Sequence, residues 1–383
     1  MYERFRKRGK LRAIGAIGGL ATVLALPASG LGAVAAVQDD VLATAGLERV
    51  EERLNLVKAS GAKVTRVDIF WSTVAPTKPS QPSNPNDPAY NWATADAVFV
   101  GLKKRKVIPI VSVYSSPDWA TNGRTTPEGQ AYNPHAPNAK QFGKFMNALA
   151  KRYNGKFRNP GAGPRRLPKV NHYEIWNEPN LKSFFRVGTR SSVSRYVGLL
   201  RAAYPQIKKA NRKAVVIAGV GGPRGRNGNG NLGARTWLNG IVKAKRVKFD
   251  AYSQHIYPAS APHKKVKAFP SWSSVDEILK TLDKKKKGMP LYITEAGYTT
   301  AKTDFRKVQV TPRQQRAYLQ ALFNLRQVKQ PRVPVVVWFN LQDNFNWPAG
   351  LLREDGSAKL SYASFRKIAK RAFTPAQRRE LIR

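Results

Sequence analysis

Apolar runs of strand length alternate with stretches of helical periodicity along most of the chain. Each run is rich in Val, Ile or Ala, and a segment whose apolar residues recur every three or four positions follows it. Because strands buried on both faces are continuously apolar, this alternation predicts an α/β fold with parallel strands. Eight runs favour a closed (β/α)8 TIM barrel over an open doubly wound sheet. The runs cover residues 32–40, 63–71, 107–114, 170–180, 214–220, 249–258, 290–297 and 333–344.

The two ends of the chain depart from this pattern. Residues 1–12 are strongly basic, residues 13–26 are apolar, and small residues follow, which is the order of a secretory signal. We therefore expect residues 1–30 to be the signal peptide of a secreted, extracellular protein, with a retained membrane anchor as the alternative. The catalytic barrel is expected over residues 31–373 as a single domain. Residues 374–383 are expected to form a solvated basic tail.

The composition adds a large excess of basic residues. The 383-residue chain has 67 Lys and Arg against 23 Asp and Glu, a formal net charge of +44. Such a charge favours polyanionic partners, but the basic residues are spread along the whole chain without the spacing of a zinc finger or an RNA-binding module. We expect no specific nucleic-acid partner. A general basic bias, or non-specific attachment to an anionic cell-wall polymer, fits this distribution better.

Cysteine and histidine content limits the possible chemistry. The chain has no cysteine and four histidines, and none of the histidines lies in a zinc-binding pattern such as His-Glu-x-x-His. We therefore expect no metal and no cofactor. We also expect the protein to be a monomer. If the protein is an enzyme, carboxylates carry its chemistry.

Polar side chains collect at the carboxyl ends of the predicted strands, where barrel enzymes place their active sites. The fourth run ends in Asn177-Glu178, and Glu295 ends the seventh. These two strands face each other across a barrel of eight. Two facing carboxylates suit the hydrolysis of a glycosidic bond, since one protonates the leaving oxygen while the other attacks the anomeric carbon or activates water. Further candidates at this rim are Arg66, His255, Tyr257 and Trp338.

Some candidates also have a purely structural interpretation. Glu174 shares the strand parity of Glu178, and we interpret it as a partner of Arg66 rather than a catalytic group. For His255 the alternative to a role in the site is a satisfied polar residue at the rim, and we favour the role in the site. The rim loops contain tryptophans that either line outer sugar subsites or pack within the loops: Trp119, Trp272 and Trp347.

The motifs IWNEPN (175–180), HIY (255–257) and ITEAG (293–297) together resemble the clan A glycoside hydrolases, and GLLREDGSAKLSYASF (350–365) resembles the common ending of that clan. The resemblance covers nearly all of the chain from residue 37. It implies a barrel enzyme with a retaining mechanism through a covalent glycosyl-enzyme. YEIWNEPN looks most like family 39 and HIY more like family 5, so the choice of family stays open. The third strand ends at Tyr114 without the histidine of many family 5 enzymes, which argues against a family 5 type of substrate pocket.

The resemblance also implies roles for the candidate residues. Glu178 would be the general acid/base, and Glu295 the nucleophile. Asn177 would bind the 2-hydroxyl of the central sugar, and Trp338 would form the floor under that sugar. Tyr257 would donate a hydrogen bond to the nucleophile, with His255 nearby. Arg66 would support the nucleophile from strand two.

These observations lead to one main hypothesis and two alternatives. The main hypothesis is a secreted retaining glycoside hydrolase that acts on a β-linked oligo- or polysaccharide. The first alternative is a catalytically weak glycan- or wall-binding protein on the same barrel, which the intact carboxylate pair argues against. The second is a metal-dependent barrel enzyme, which would need more convergent ligands than the two carboxylates identified in the sequence.

Overall fold

The computed structural model describes residues 32–161, 163–187 and 191–382. Parallel strands form a closed barrel in chain order, from β1 beside β2 to β8 beside β1. This confirms the predicted (β/α)8 TIM barrel. The expected signal peptide or anchor over residues 1–30 lies outside the described residues. The strands are β1 Val34–Gln38, β2 Val64–Phe70, β3 Ile108–Tyr114, β4 His172–Ile175, β5 Val215–Gly221, β6 Ala251–Ile256, β7 Leu291–Ala296 and β8 Val335–Trp338.

Helices connect successive strands and cover the outside of the barrel. Their apolar faces pack on the strands, as the helical periodicity predicts. Within the described ranges, no helix is both long enough and apolar enough to span a bilayer. The helices are α1 Leu47–Ala59, α2 Trp71–Val74, α3 Ala93–Lys104, α4 Ala139–Arg152, α5 Ser192–Ala210, α6 Ala234–Lys243, α7 Val275–Asp283, α8 Pro312–Leu322, α9 Leu360–Ala369 and α10 Pro375–Leu381.

The interior of the barrel has two layers of different chemistry. Side chains alternate across each strand, so every second residue points inward. In β2, the inward residues change from Val64 at the amino end to Arg66 and Asp68 toward the carboxyl end. The lower layer is apolar, and its members are Val34, Ala36, Val64, Ile110, Val215, Ile217, Ala251, Tyr292, Val335 and Val337.

Residues 374–383 were expected to form a solvated tail, but the described residues 374–382 are not solvated along their length. Thr374 and Gln377 form a capping box that starts α10. Leu381 is buried to 1% exposure and packs against the lower apolar layer. Tyr292 donates a hydrogen bond to Glu380 Oε1 (2.8 Å). The expectation was wrong because the open amino end of the barrel needs an apolar cover, and this amphipathic helix provides it.

Candidate active site

Arg66 is completely buried at the centre of the upper layer of the barrel. Its guanidinium donates from Nε to Glu174 Oε2 (2.6 Å) and from Nη1 to Glu295 Oε1 (2.9 Å). Its Nη2 donates to Asn177 Oδ1 (2.8 Å) and to Ser112 Oγ (2.9 Å). The planar fork of N–H groups thus joins side chains from four other points of the barrel wall. The contacts expected of Arg66, with Glu174 and with Glu295, are both present.

Glu178 follows the end of β4 in backbone that is no longer extended. Trp176 has a φ of 72° and Glu178 a φ of 40°, which lie in the left-handed region that residues with side chains rarely adopt. Such strain persists only where the surroundings hold it, and it concentrates at functional sites. Asn180 accepts a hydrogen bond from the backbone N–H of Gly222 (2.7 Å), which brings the loop after β5 against Glu178. A β-carbon at Gly222 would lie 2.9 Å from Glu178 Cδ, so glycine leaves room for the carboxyl group.

Glu295 is the penultimate residue of β7, where the strand register is irregular. The register of β7 shifts between Tyr292 and Glu295 on the β6 side and between Ile293 and Ala296 on the β8 side. Such bulges redirect a side chain at the rim of a barrel. Glu295 Oε2 accepts a hydrogen bond from the Tyr257 hydroxyl (2.8 Å), while Oε1 accepts from Arg66. The predicted contact between Tyr257 and Glu295 is therefore present. Both oxygens of this carboxylate are held by donors.

His255 lies between the two glutamates and is completely buried. Its Nδ1 is 2.8 Å from Glu178 Oε1 and 3.3 Å from Glu295 Oε2. Burial lowers the pKa of His255, which favours the neutral ring. One ligand-type atom from each of these three residues lies within 4.8 Å of the other two, so the trio could also hold a divalent metal ion. The imidazole is thus more than a satisfied polar residue at the rim, since it contacts both carboxyl groups.

The two carboxyl groups titrate differently. Burial raises the pKa of Glu178 to about 8, and the distant charge of Arg66 lowers it only in part. Burial also raises the pKa of Glu295, to about 7, although Arg66 and the hydrogen bond from Tyr257 favour its ionised form. When the pair holds a single proton, that proton belongs mainly on Glu178. The geometry therefore favours an acid at Glu178 beside a carboxylate at Glu295.

A second polar wall, at the ends of β1 to β3, was not predicted from the sequence. Gln38 Nε2 donates to Asp40 Oδ1 (3.0 Å) and to Asp68 Oδ2 (3.1 Å), and its Oε1 accepts from Arg66 (2.6 Å). The Tyr114 hydroxyl donates to Asp68 Oδ2 (3.1 Å). Strand parity was the signal available for this wall, since Asp68 is two residues beyond Arg66 and shares its inward direction.

Trp338 was predicted to form the floor under the central sugar, and the structure contradicts this. Val335 and Val337 of β8 point into the barrel, so Trp338 points outward between strand and helices. It is completely buried, and its Nε1 donates to the Ala349 carbonyl (2.9 Å). The partly exposed Trp347 instead packs edge-on against Tyr257, with ring centroids 4.8 Å apart.

The other two rim tryptophans are hydrogen-bonded to neighbouring loops. Trp119 donates from Nε1 to the Ala75 carbonyl (2.9 Å) and packs on Trp71. Trp272 is 2% exposed and donates to the Tyr298 hydroxyl (3.2 Å). Loop packing therefore accounts for both, and Trp347 is the member of the three that packs against Tyr257.

Solved structures with the same fold carry related descriptions. The chain aligns with a family 39 glycoside hydrolase from Bacteroides cellulosilyticus WH2 (TM-score 0.59, 20% identity, 88% of this chain and 63% of that chain). It also aligns with a glucosidase from Croceicoccus marinus (TM-score 0.62, 16% identity, 83% and 63%). A family 39 beta-xylosidase from Caulobacter crescentus gives a TM-score of 0.63 at 16% identity (89% and 71%). At these identities the likeness is one of fold, and the chain spans less than two thirds of the first two proteins.

Sequence comparison decides between the two families that the motifs left open. No curated protein sequence matches the chain. The family model described as glycosyl hydrolases family 39 matches residues 37–320, a stretch that contains both glutamates, Arg66 and the His255–Tyr257 motif. The match begins in β1 and extends into α8, so it covers most of the barrel. On this evidence the chain belongs to family 39 of the glycosyl hydrolases.

Proposed function

We propose that this protein is a retaining glycoside hydrolase, with Glu178 as general acid/base and Glu295 as nucleophile. The observation that carries the proposal is the carboxylate pair itself. The two carboxyl groups share the His255 imidazole, at 2.8 Å and 3.3 Å from its Nδ1. They come from strands on opposite sides of the barrel mouth, as a sugar bound between them requires.

The separation of the carboxyl groups supports double displacement. Retaining glycosidases hold their two carboxyl groups about 5–5.5 Å apart, whereas inverting enzymes leave about 6.5–9.5 Å for a water molecule. Ligand-type oxygens of Glu178 and Glu295 lie within 4.8 Å of each other. That gap has no room for a water molecule between sugar and base, so direct attack by Glu295 on the anomeric carbon is favoured.

The surroundings of the two groups support the division of roles. Glu178, with a pKa of about 8, holds the proton that the leaving oxygen needs. Glu295 accepts from Arg66 and Tyr257, which stabilises the ionised form required for attack. After water replaces the leaving group, Glu178 acts as base and regenerates the free enzyme. Each step thus uses the protonation state that the preceding step leaves behind.

Asn177 is placed to hold the sugar beside Glu178. Its Oδ1 accepts from Arg66, which fixes the amide and directs its Nδ2 group away from the guanidinium. We infer that this N–H group donates to the 2-hydroxyl of the central sugar. A hydrogen bond that strengthens as charge develops on the sugar contributes to the rate and not only to binding.

The β-configuration and the location are proposals with separate support. The Caulobacter crescentus structure is described as a beta-xylosidase, which supports a β-linked substrate here. The order of basic, apolar and small residues at the start of the sequence supports export. Mass spectrometry of the protein from culture medium tests export: the expected product lacks the apolar stretch, and an intact protein confined to the membrane fraction would contradict it.

The stereochemistry of the first product tests the mechanism. Proton NMR during the first minutes of hydrolysis of aryl β-glycosides is expected to show the β-anomer before mutarotation. Release of the α-anomer would overturn the retaining proposal. Binding of glycans without any turnover across a panel of aryl glycosides and polysaccharides would instead support a binding protein on this barrel.

A further inference from the structure

The rim of the barrel is electrically uneven. The described residues of the loops after β4, β5, β6 and β7, together called here the cationic arc, are rich in basic side chains and poor in acidic ones. Outside the catalytic Glu178, their sequence contains a single acidic residue, Asp304, which pairs with Lys307 (3.1 Å). The basic members of the arc that the structure describes are Lys182, Arg186, Arg224, Arg226, Lys264, Lys265, Lys267, Lys302, Arg306 and Lys307.

The other half of the rim does not share this charge. A uniform basic bias would make both halves alike, so the arc is more than a consequence of the +44 net charge. The loops after β1, β2, β3 and β8 hold few basic residues, and their acidic residues are Asp39, Asp40, Asp87, Asp118, Glu128, Asp343, Glu354 and Asp355.

Arg306 is a member of the arc that hydrogen bonds connect to the catalytic centre. Its Nη2 donates to the carbonyl oxygens of Tyr257 (2.8 Å) and Pro258 (2.9 Å), and Tyr257 in turn bonds the nucleophile. Among the residues that the structure describes, no carboxylate pairs with Arg306, and burial lowers its pKa. A partly buried guanidinium with spare N–H groups suits a planar or tetrahedral anion.

Phe305, beside Arg306, offers a surface for a sugar ring. Its side chain is 72% exposed, which is unusual for phenylalanine. Reciprocal backbone hydrogen bonds between Thr303 and Arg306 close a turn that presents it (2.8 and 3.3 Å). The loop is fixed at its base, where Thr299 bonds both Val308 and Val310. An aromatic face next to an unpaired cation matches a sugar that carries a negative group.

The inner pocket has the opposite preference. Asp40 and Asp68 lie at the rim on the far side of Arg66, joined through Gln38. Their carboxyl groups can hydrogen-bond sugar hydroxyls. Burial and the proximity of Asp68 already raise the pKa of Asp40 to about 7, so this acidic cluster disfavours a further carboxylate on the central sugar. An anion is therefore disfavoured at the scissile unit and favoured a few sugar units away, along the arc.

We propose that the natural substrate is an acidic glycan whose cleaved sugar is neutral and whose neighbouring units carry carboxylate or sulfate groups bound along the cationic arc. This inference rests on the proposed function, because it assigns substrate class to the same site. Arg306 is the innermost anion contact, and Phe305 stacks on a sugar ring beside it. The outer lysines raise the local concentration of the polyanion and steer it into the groove.

Binding to an inactive variant tests the substrate class separately from catalysis. Glu295→Gln retains the fold and cannot form the intermediate, so its affinity for polysaccharides reports recognition alone. The probes are glucuronoxylan, its carboxyl-reduced form and dextran sulfate. We expect glucuronoxylan to bind on the order of tenfold more tightly than the reduced form at low ionic strength, with the difference shrinking as salt screens the charges. If dextran sulfate binds through the arc more tightly than glucuronoxylan does, the anion site is supported and its natural ligand is a sulfate group.

A matched pair of triple variants locates the effect. Lys264, Lys265 and Lys267 lie in the arc, whereas Lys284, Lys286 and Lys287 follow α7 at the opposite end of the barrel. Conversion of either set to glutamine removes the same charge. Only the arc variant is expected to lose the preference for the acidic glycan. Equal losses from both sets, or no preference in the parent, would overturn the proposal.

Two single substitutions separate charge from stacking on the same Glu295→Gln background. Arg306→Gln is expected to weaken binding of glucuronoxylan and leave the reduced glycan unaffected. Phe305→Ala is expected to weaken binding of both. If wild-type protein hydrolyses neutral aryl glycosides while these binding differences are absent, the proposed function stands and the substrate class is wrong. If the binding differences appear but the wild type hydrolyses no glycoside, the substrate class stands and the proposed function is wrong.

Discussion

The same eight strands build two layers inside the barrel, one apolar and one that buries charged side chains. The lower layer is apolar and is closed by Leu381 of the last helix. The upper layer buries Arg66 among Glu174, Glu295 and Asn177. The lower layer stabilises the fold through the removal of apolar surface from water. The upper layer carries a desolvation cost that its hydrogen bonds offset, and it holds carboxylates in fixed places for chemistry.

Because of this difference, removal of a side chain should affect stability in one layer and catalysis in the other. Removal of an apolar group from the lower layer should affect stability and leave the chemistry intact. Removal of a carboxylate from the upper layer should affect the reaction far more than the fold. Arg66 connects the two cases, since it is both buried and in contact with the nucleophile.

The largest effect is expected from Glu295→Ala. Without the nucleophile no glycosyl-enzyme forms, so kcat should fall by at least about 10⁴-fold on every substrate. Initial rates on aryl glycosides measure this, and the unfolding midpoint in denaturant should stay near that of the wild type. A decrease of less than tenfold would remove Glu295 from the nucleophile role.

Arg66→Met is expected to reduce stability and activity together. Loss of the guanidinium leaves Glu174 and Glu295 buried without a counter-charge, which costs about 3–5 kcal/mol of unfolding free energy. Arg235 is the matched control, because its ion pair with Glu277 is about half exposed (51% and 47%). Denaturant unfolding of Arg235→Met should show a change of about 0–1 kcal/mol. Equal changes in the two variants would contradict the account of the upper layer.

Leu381→Ala tests the lower layer. The substitution removes a buried side chain from the cover of the barrel, and a loss of about 2 kcal/mol is expected, at the low end for Leu→Ala because the chain end can relax. Ile382 is 55% exposed and serves as the neighbouring control, so Ile382→Ala should change little. The kcat of Leu381→Ala on aryl glycosides should match the wild type. A stable Leu381→Ala variant would mean that α10 does not seal the barrel.

The pH dependence has the smallest expected amplitude and reports on the pair directly. Activity requires Glu295 ionised and Glu178 protonated, so the rate should fall below about pH 7 and above about pH 8. In Glu178→Gln, the alkaline limb should disappear for substrates with good leaving groups. The acid limb should stay near pH 7, because Glu178 is protonated and carries no charge while Glu295 titrates. An unchanged alkaline limb in this variant would assign that limb to another group.

Much of this architecture was predictable because it depends on local pattern. Continuous apolar runs mark the eight strands, and a strand that ends in Asn177-Glu178 must place both residues at the barrel rim. Arg66 was identifiable as a charged residue inside an otherwise largely apolar run. The contacts of Tyr257 and Arg66 with Glu295 were expected from resemblance to a known clan, and the structure contains both.

The remaining features depend on the direction in which side chains point and on contacts between loops that are distant in sequence. Trp338 was misplaced because β8 alternates, and its neighbours Val335 and Val337 take the inward positions. Gly222 touches Glu178 from another loop, a contact that no local pattern reveals. The last helix was predicted as a tail because most of its residues are polar or basic, and the sequence does not show that Leu381 is buried.

The central claim is that Glu295 forms a covalent bond to the sugar. In Glu178→Gln, a dinitrophenyl β-glycoside should still react, because its leaving group needs no acid, while the second step lacks its general base. The glycosyl-enzyme should therefore accumulate, and peptide mass spectrometry should find one sugar on the peptide that contains Glu295. No adduct during turnover, or an adduct on any other residue, would contradict the mechanism.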